Sequence, residues 1–174
     1  MAFNYSINDG AYTGTCNNLG EWNNLINDGR QLRQYMVECT LKGTAPDDIT
    51  QMFQGCWELK SIDLTEFDTS NTRQMNSVFS NCHSLEAIDL TSCDTRNVNS
   101  MLYMFDGCSN LKTIKVNKAT WNKNSEAVDT YYMFWGCESL PNYDGTSDGT
   151  KAIDKSLGGY LDVVTAPTKY YKYY

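Results

Sequence analysis

Cysteine is the residue type whose number and spacing first suggest chemistry in this chain. There are seven cysteines, and none of them belongs to a CxxC or CxxH pair. Zinc sites are usually built from such closely spaced pairs, so we expect no zinc site and no other bound metal. Four of the seven recur at regular intervals, which is typical of a small apolar residue that fills a core position. We therefore expect reduced thiols with a structural role, and we expect no cofactor.

Asp63 and Asp89 are the two carboxylates whose spacing would suit glycoside hydrolysis. They occupy the same position in two copies of a repeated unit, and the reaction requires two carboxyl groups about 5 to 10 Å apart. No neighbouring residue would raise the pKa of one of them, and the single histidine, His83, fits no nucleophile–base arrangement. The chain is therefore predicted not to be an enzyme. A carbohydrate-active enzyme that uses these two residues is the least favoured of three hypotheses.

Charge and composition exclude several classes of partner. The 174 residues include 14 basic and 21 acidic side chains, which gives a net charge of −7 without any basic cluster. Binding to nucleic acid or to an anionic membrane surface is therefore not expected. No apolar run is long enough to span a bilayer, and the beginning, "MAFNYSINDGAYTG", lacks the features of a signal peptide. We expect no membrane insertion, and we see no signal peptide or anchor.

One sequence unit is repeated several times along the chain. "MFQGCWELKSIDL" at residues 52–64 returns as "VFSNCHSLEAIDL" at residues 78–90 and as "MFDGCSNLKTIKV" at residues 104–116. The cysteine, the phenylalanine before it and the leucine after it all recur at steps of 26, 26 and 29 residues, the last step leading to a fourth, less complete copy. Repetition at a fixed period predicts a stack in which each unit buries its apolar side against its neighbours. We number the four copied units by their cysteines, Cys56, Cys82, Cys108 and Cys137.

Two patterns alternate within each unit. "LEAIDL" alternates apolar and polar residues and predicts a strand, whereas Met75, Val78, Phe79 and Cys82 have the spacing of one face of a short helix. The predicted fold class is therefore α/β. We expect a short leucine-rich-repeat solenoid of about four to five coils, with strands on one face, short helical turns on the other, and caps at the N- and C-terminal ends.

The flanking segments suggest the domain organisation. Residues 1–31 are predicted to be an N-terminal cap with a hairpin around Asn8 and a short helix. Residues 146–174 are predicted to be a C-terminal cap with a candidate strand, "GYLDVV", and a Tyr-rich tail that is either frayed or docked. The array between them, residues 32–145, is expected to consist of an atypical first unit, with Val37, Cys39 and Leu41 on one strand face, and repeats near 49–74, 75–100, 101–128 and 129–145.

Two surfaces are candidates for binding. The first is a polar strip on the outward face of the predicted strands, made of Ser61, Asp63, Thr65, Ala87, Asp89, Thr91, Thr113, Lys115 and Asn117. The second is a set of aromatic residues at variable positions of the unit, Trp57, Tyr103, Tyr131, Tyr132 and Trp135. Exposed tyrosine and tryptophan are favoured where proteins contact other proteins or sugars.

The copied unit resembles the BspA-like bacterial leucine-rich repeat, in the 26-residue variety abundant in mycoplasma and gut-bacterial surface proteins. The resemblance extends over about residues 49–163. It implies a non-enzymatic scaffold for display or adhesion, and it brings no catalytic or binding residues with it. The residues of the first copied unit that match the pattern are Met52, Phe53, Gly55, Cys56, Leu59, Ile62, Asp63, Leu64, Phe67, Asp68, Thr69, Ser70 and Asn71.

The predicted function is that of a non-catalytic binding or structural module displayed on a surface. The favoured setting is a phage virion, as a tail or head-fibre component that mediates protein–protein or host-surface attachment. The alternative is a bacterial cell-surface or secreted adhesin. The expected partner is a protein or glycan surface, and other copies of the chain or neighbouring virion proteins are further candidates. The expected location is a virion or an extracellular surface.

Overall fold

Seven strands and two short helices make up the regular secondary structure of the part of the chain that the structure, a computed structural model, describes. That part comprises residues 2–29, 31–121, 128–145 and 160–164. In chain order the elements are β1 (Phe3–Ile7), β2 (Tyr12–Cys16), α1 (Leu19–Ile26), α2 (Leu32–Tyr35), β3 (Glu38–Thr44), β4 (Ser61–Asp68), β5 (Ala87–Leu90), β6 (Thr113–Asn117) and β7 (Asp162–Val164).

The strands form two separate sheets. The first has the order β2-β1-β3-β4, in which β1 pairs antiparallel with both β2 and β3, and β3 pairs parallel with β4. The second has the order β5-β6-β7 and is parallel throughout. Its register sets Ile88 opposite Ile114, so equivalent residues of two copied units are neighbours across the sheet. The candidate strand "GYLDVV" is confirmed, because β7 lies within it.

This arrangement overturns the predicted fold class. The described strands belong to two open sheets and not to one strand-lined face, and both helices precede the first copied unit. Within the described part of the copied units, the segment that was expected to be helical contains turns and no helix. The α/β leucine-rich-repeat solenoid of four to five coils is therefore wrong. Most of the regular structure is β-strand.

Left-handed backbone explains why these segments are not helical. In every copied unit, the residue five positions before the cysteine and the residue one position before it both have positive φ, between 54° and 74°. A right-handed helix cannot accommodate such residues, because each one reverses the local direction of winding. We call the six residues that end at the cysteine the turn segment of each unit, namely residues 51–56, 77–82, 103–108 and 132–137.

The backbone hydrogen bonds of the turn segments run between units. The amide of Phe53 donates to the carbonyl of Val78 (2.9 Å), and the amide of Phe79 donates to the carbonyl of Met104 (2.9 Å). The intervening amides donate three residues back, as from Cys82 to Phe79 (3.1 Å). Alternate amides thus bind the next unit in the way that parallel strands do. The apolar spacing resembled that of a helix because Met75, which precedes the turn segment, is buried together with Val78, Phe79 and Cys82 within it.

A column of aromatic rings runs through the core. The rings of Phe53, Phe79, Phe105 and Phe134 stack with centroids 5.7, 5.7 and 5.9 Å apart and interplanar angles of 7°, 9° and 3°. Each such pair contributes about 0.5–1.5 kcal/mol beyond the burial of its area. Because the copies superimpose equivalent residues, the unit buries an apolar face that one copy alone would leave in water.

Other aromatic residues close both ends of this column. Trp22 of α1 packs against Phe53 at 5.5 Å and donates its Nε1–H to the carbonyl of Met52 at 2.6 Å. At the other end the ring of Tyr160 meets Phe134 edge-on at 5.3 Å, and its hydroxyl donates to Asp144 Oδ1 at 2.8 Å. Each closing residue therefore combines a ring contact with a satisfied polar atom, as a buried aromatic side chain requires.

The N-terminal hairpin and helix are present as predicted. Asn8, Asp9 and Gly10 form the turn between β1 and β2 with positive φ, and the side chain of Asn18 accepts a hydrogen bond from the amide of Glu21 as the N-cap of α1. The strand of the atypical first unit is also present as β3. Its predicted inward face is wrong in one residue, since Val37 precedes the strand and is 39% exposed. The Tyr-rich tail lies outside the described residues.

Replacement of Ser77 by glycine distinguishes a turn segment from a helix. Because Ser77 has φ of 54°, we expect Ser77→Gly to leave the free energy of unfolding unchanged or to raise it by up to about 1 kcal/mol. In a helix the same change would lower the free energy of unfolding by about 0.5 kcal/mol. Urea unfolding of the two proteins measures the difference.

Gly107→Ala is the matched control for this prediction. Gly107 has φ of 73°, and an added Cβ would lie 2.6 Å from Oδ1 of Asn81. We expect this variant to lose about 1–3 kcal/mol of unfolding free energy. A stable Gly107→Ala protein together with a destabilised Ser77→Gly protein would contradict the left-handed turn.

Candidate functional site

The predicted polar strip is divided between the two sheets. Ser61, Asp63 and Thr65 lie on β4, whereas Ala87 and Asp89 lie on β5 and Thr91 follows it. Thr113, Lys115 and Asn117 lie on β6, and the register sets Ala87 opposite Thr113 and Asp89 opposite Lys115. The structure therefore brings neighbouring members of the strip together within the second sheet, but it does not join all nine residues in one continuous sheet.

Both carboxylates of the strip accept hydrogen bonds from the threonine two residues later. Asp63 Oδ1 accepts hydrogen bonds from the amide (2.9 Å) and the hydroxyl (2.7 Å) of Thr65. Asp89 Oδ1 accepts the equivalent pair from Thr91, at 3.0 and 2.6 Å. The bonds from Thr65, the backbone one first, lower the pKa of Asp63. A glycosidase acid needs a raised pKa, so Asp63 is poorly suited to donate a proton.

A polar groove of about 330 Å³ adjoins the β4 part of the strip. Sequence reasoning missed this groove, because five of its eight lining residues come from the hairpin and the atypical first unit, where the copied motif is absent. Three carboxylates, those of Asp9, Glu38 and Asp63, make the groove acidic. Its lining residues are Ser6, Asp9, Glu38, Cys39, Thr40, Ser61, Ile62 and Asp63.

Four of the five predicted aromatic residues meet in one exposed group, which we call the aromatic cluster. The ring of Tyr132 is central: Tyr103 stacks on it with centroids 5.2 Å apart, and Tyr131 and Trp135 meet it edge-on at 4.1 and 5.8 Å. Tyr131 and Trp135 remain 53% and 52% exposed, so the cluster is open to solvent. The fifth residue, Trp57, is separate; it lies near Arg33 beside Gly55, in the first copied unit.

Backbone geometry places these side chains. Tyr103 and Tyr132 occupy the left-handed position at the start of the third and fourth turn segments, each with φ of 56°. The amide of Tyr103 donates to the carbonyl of Tyr131 (3.1 Å), and the amide of Gly107 donates to the carbonyl of Trp135 (2.7 Å). The first two units have Gln51 and Ser77 at the position of the tyrosines, so the cluster forms only where the third and fourth units meet.

One hydrogen bond joins two of the rings, and two carboxylates belong to the segments that carry the cluster. The hydroxyl of Tyr131 donates to that of Tyr132 at 3.4 Å, and this bond raises the pKa of Tyr131. Asp129 Oδ1 accepts from the amide of Tyr131 at 3.3 Å. Asp106 occupies the position in its unit that Trp135 occupies in the next unit. Burial raises the pKa of Asp106, although a hydrogen bond from Ser80 acts in the opposite direction. Sequence reasoning missed both carboxylates, although the repeat alignment places Asp106 beside Trp135.

The cysteines belong to the core. All seven are free and buried. The thiols of Cys82, Cys108 and Cys137 donate to the phenylalanine carbonyls of the preceding units, at 3.2, 3.0 and 3.0 Å. Burial raises the pKa of Cys56, Cys93 and Cys108 to about 12, so their thiols are neutral and unreactive near neutral pH. Within the described residues, no group of three or more His, Cys, Asp or Glu side chains is placed to hold a metal ion.

One protein family matches the copied part of the chain. It is described as "Mycoplasma protein of unknown function, DUF285", and it matches residues 47–158, which is more than half of the 174 residues. The chain belongs to this family. Its DUF285 region includes all four turn segments and the aromatic cluster, and it excludes the hairpin and α1. Neither the curated proteins nor the solved structures gave a match. No helix in the described ranges has the length and apolar character needed to cross a bilayer.

The neutral thiols lead to a prediction about stability at alkaline pH. Because burial raises the pKa of the thiols, the folded protein keeps protons that the unfolded chain releases above pH about 9. The free energy of unfolding should therefore be unaffected by the thiols below pH 9. It should fall between pH about 9 and 12, by up to about 1.4 kcal/mol per pH unit for each buried thiol.

Urea unfolding at pH 7.5 and pH 10 tests this, with Cys108→Ala as the comparison. Removing one buried thiol should reduce the loss of stability between the two pH values, while tyrosine ionisation contributes equally to both proteins. An identical loss in the two proteins would contradict the assignment of the thiols. Thiol titration at pH 7.5 should count seven groups after unfolding and close to none before it.

Proposed function

We propose that the chain is a non-catalytic binding module of a surface-displayed protein and that the aromatic cluster is its contact surface. The observation that carries this proposal is the meeting of Tyr103, Tyr131, Tyr132 and Trp135 in one solvent-exposed group. Tyrosine and tryptophan dominate the energetics of interfaces, because they bury large areas at a small cost in side-chain entropy. Four such side chains grouped on one surface therefore favour a recognition role.

The support beneath the cluster favours the same role. Phe105 and Phe134, which precede the cysteines of the same turn segments, are stacked at 5.9 Å in the core. The turn segments are joined by backbone hydrogen bonds, so the exposed rings stand on a fixed base. A surface that is already ordered loses less entropy when it binds a partner.

Display on a surface is supported by the resemblance of the copied unit to BspA-like surface proteins. We propose a phage virion, with the chain as part of a tail or head fibre, as the first setting, and a bacterial adhesin as the alternative. Mass spectrometry of purified particles and of washed cell envelopes separates the two settings. A carbohydrate-active enzyme is less well supported, since the lowered pKa of Asp63 is opposite to what the acid of such an enzyme needs.

Binding of the purified chain to whole cells of the host, or to purified particles, should depend on Trp135. We expect Trp135→Ala to weaken this binding roughly 10- to 30-fold, the effect of losing a residue that dominates an interface. The measurement is co-sedimentation of the chain over a range of concentrations.

Trp57→Ala is the matched control, because Trp57 is 53% exposed and lies outside the cluster. This variant should bind as the unchanged protein does. Equal losses in the two variants, or no loss in Trp135→Ala, would show that the cluster is not the contact surface.

A further inference from the structure

The arrangement of rings in the aromatic cluster restricts what can bind there. Tyr131 and Trp135 are perpendicular to Tyr132, at 68° and 84°, while Tyr103 is nearly parallel to it at 18°. The rings contact one another and form an open platform. The faces of aromatic rings are electron-rich, and they attract a cation that approaches within about 6 Å of the ring centre.

The segments that carry the cluster are acidic. Residues 101–111 and 128–140 contain three carboxylates, those of Asp106, Asp129 and Glu138, and neither lysine nor arginine. The ion pairs found among the described residues, Lys42–Glu66, Arg96–Asp94 and Lys112–Glu86, involve none of these three. The aromatic cluster therefore lies in a region with an excess of negative charge.

Asp106 adds a specific reason to expect a cation. Its carboxylate is partly buried, and Ser80, at 3.3 Å, is its side-chain hydrogen-bond partner among the described residues. Burial without a cationic partner disfavours the ionised form. The bond from the amide of Gly107 to the carbonyl of Trp135 (2.7 Å) makes Asp106 and Trp135 neighbours at equivalent positions of adjoining units.

We infer that the aromatic cluster binds an arginine-containing segment of a partner protein. This inference rests on the proposed function and names its partner class. A guanidinium group stacks on tyrosine and tryptophan faces and pairs with carboxylates, so one side chain would use both features of the surface. A neutral glycan would gain stacking alone without compensating the charge, and an acidic glycan would be repelled.

The test uses the full chain and a fluorescein-labelled peptide, (Arg-Gly-Gly)4, with fluorescence anisotropy as the readout. The matched control peptide replaces each arginine by citrulline, which keeps the shape of the side chain and removes its charge. We expect the arginine peptide to bind, the citrulline peptide to bind at least roughly 10-fold more weakly, and the affinity to fall as salt concentration rises.

Variants locate the site. Trp135→Ala and, as a second aromatic change, Tyr131→Ala should each weaken binding of the arginine peptide roughly 3- to 30-fold. Asp106→Asn should weaken it about 2- to 5-fold, and Trp57→Ala should leave it unchanged. A circular dichroism melt of each variant excludes a loss caused by unfolding.

Several results would overturn the inference. The two peptides could bind equally well, both aromatic variants could keep their affinity, or Trp57→Ala could lose as much affinity as they do. A fourth such result is that the arginine peptide does not bind, whereas cellohexaose or chitohexaose binds in a way that depends on Trp135. If Trp135→Ala abolishes binding to cells or particles while the arginine peptide fails to bind, the proposed function stands and only this partner class is wrong.

Discussion

The left-handed backbone at two positions of each turn segment is the constraint on which the rest of the structure depends. It turns alternate amides towards the next unit, where they donate to carbonyls at about the spacing of a parallel sheet. A helix would satisfy its amides internally and could associate with its neighbours through side chains alone. Here the units are joined through the main chain itself. The main-chain hydrogen bonds therefore align equivalent side chains, and no specific packing between side chains is needed for this alignment.

Several other features follow from that alignment. The phenylalanine rings stack because equivalent residues are superimposed, and Trp22 and Tyr160 close the column with polar atoms that find partners at both ends. The thiols of successive cysteines reach the phenylalanine carbonyls of the preceding units, so cysteine contributes both apolar volume and a weak donor. The same geometry sends the residue at the start of each turn segment outwards. This is the position at which Tyr103 and Tyr132 meet.

The repeated unit made the buried positions predictable from the sequence. It did not make the secondary structure of the segments that carry those positions predictable. Phe79, Cys82 and Leu85 are buried as their periodicity predicts. The helix was wrong because a turn with two left-handed residues gives the same apolar spacing as a helical face. The sequence did contain a sign of this: glycine or asparagine precedes the cysteine of every copied unit, and both residues tolerate positive φ. The break between the two sheets leaves no such sign, since Ile62 and Ile88 occupy equivalent positions on either side of it.

The candidate site was predictable in its residue types and not in its grouping. Tyr103 and Tyr132 are 29 residues apart, and only the left-handed turns bring their rings together. Trp57 has the same chemistry but lies in a different unit. The contribution of Asp106 depends on its partial burial beside Ser80, which no local pattern reveals.

Scalar coupling across backbone hydrogen bonds, observed by NMR on labelled protein, tests the bonding between the copied units most directly. Left-handed turns predict a correlation from the amide nitrogen of Phe79 to the carbonyl carbon of Met104, and from the amide nitrogen of Phe105 to the carbonyl carbon of Met133. A correlation from Phe79 to the carbonyl of Met75, four residues earlier as in a helix, would contradict this bonding.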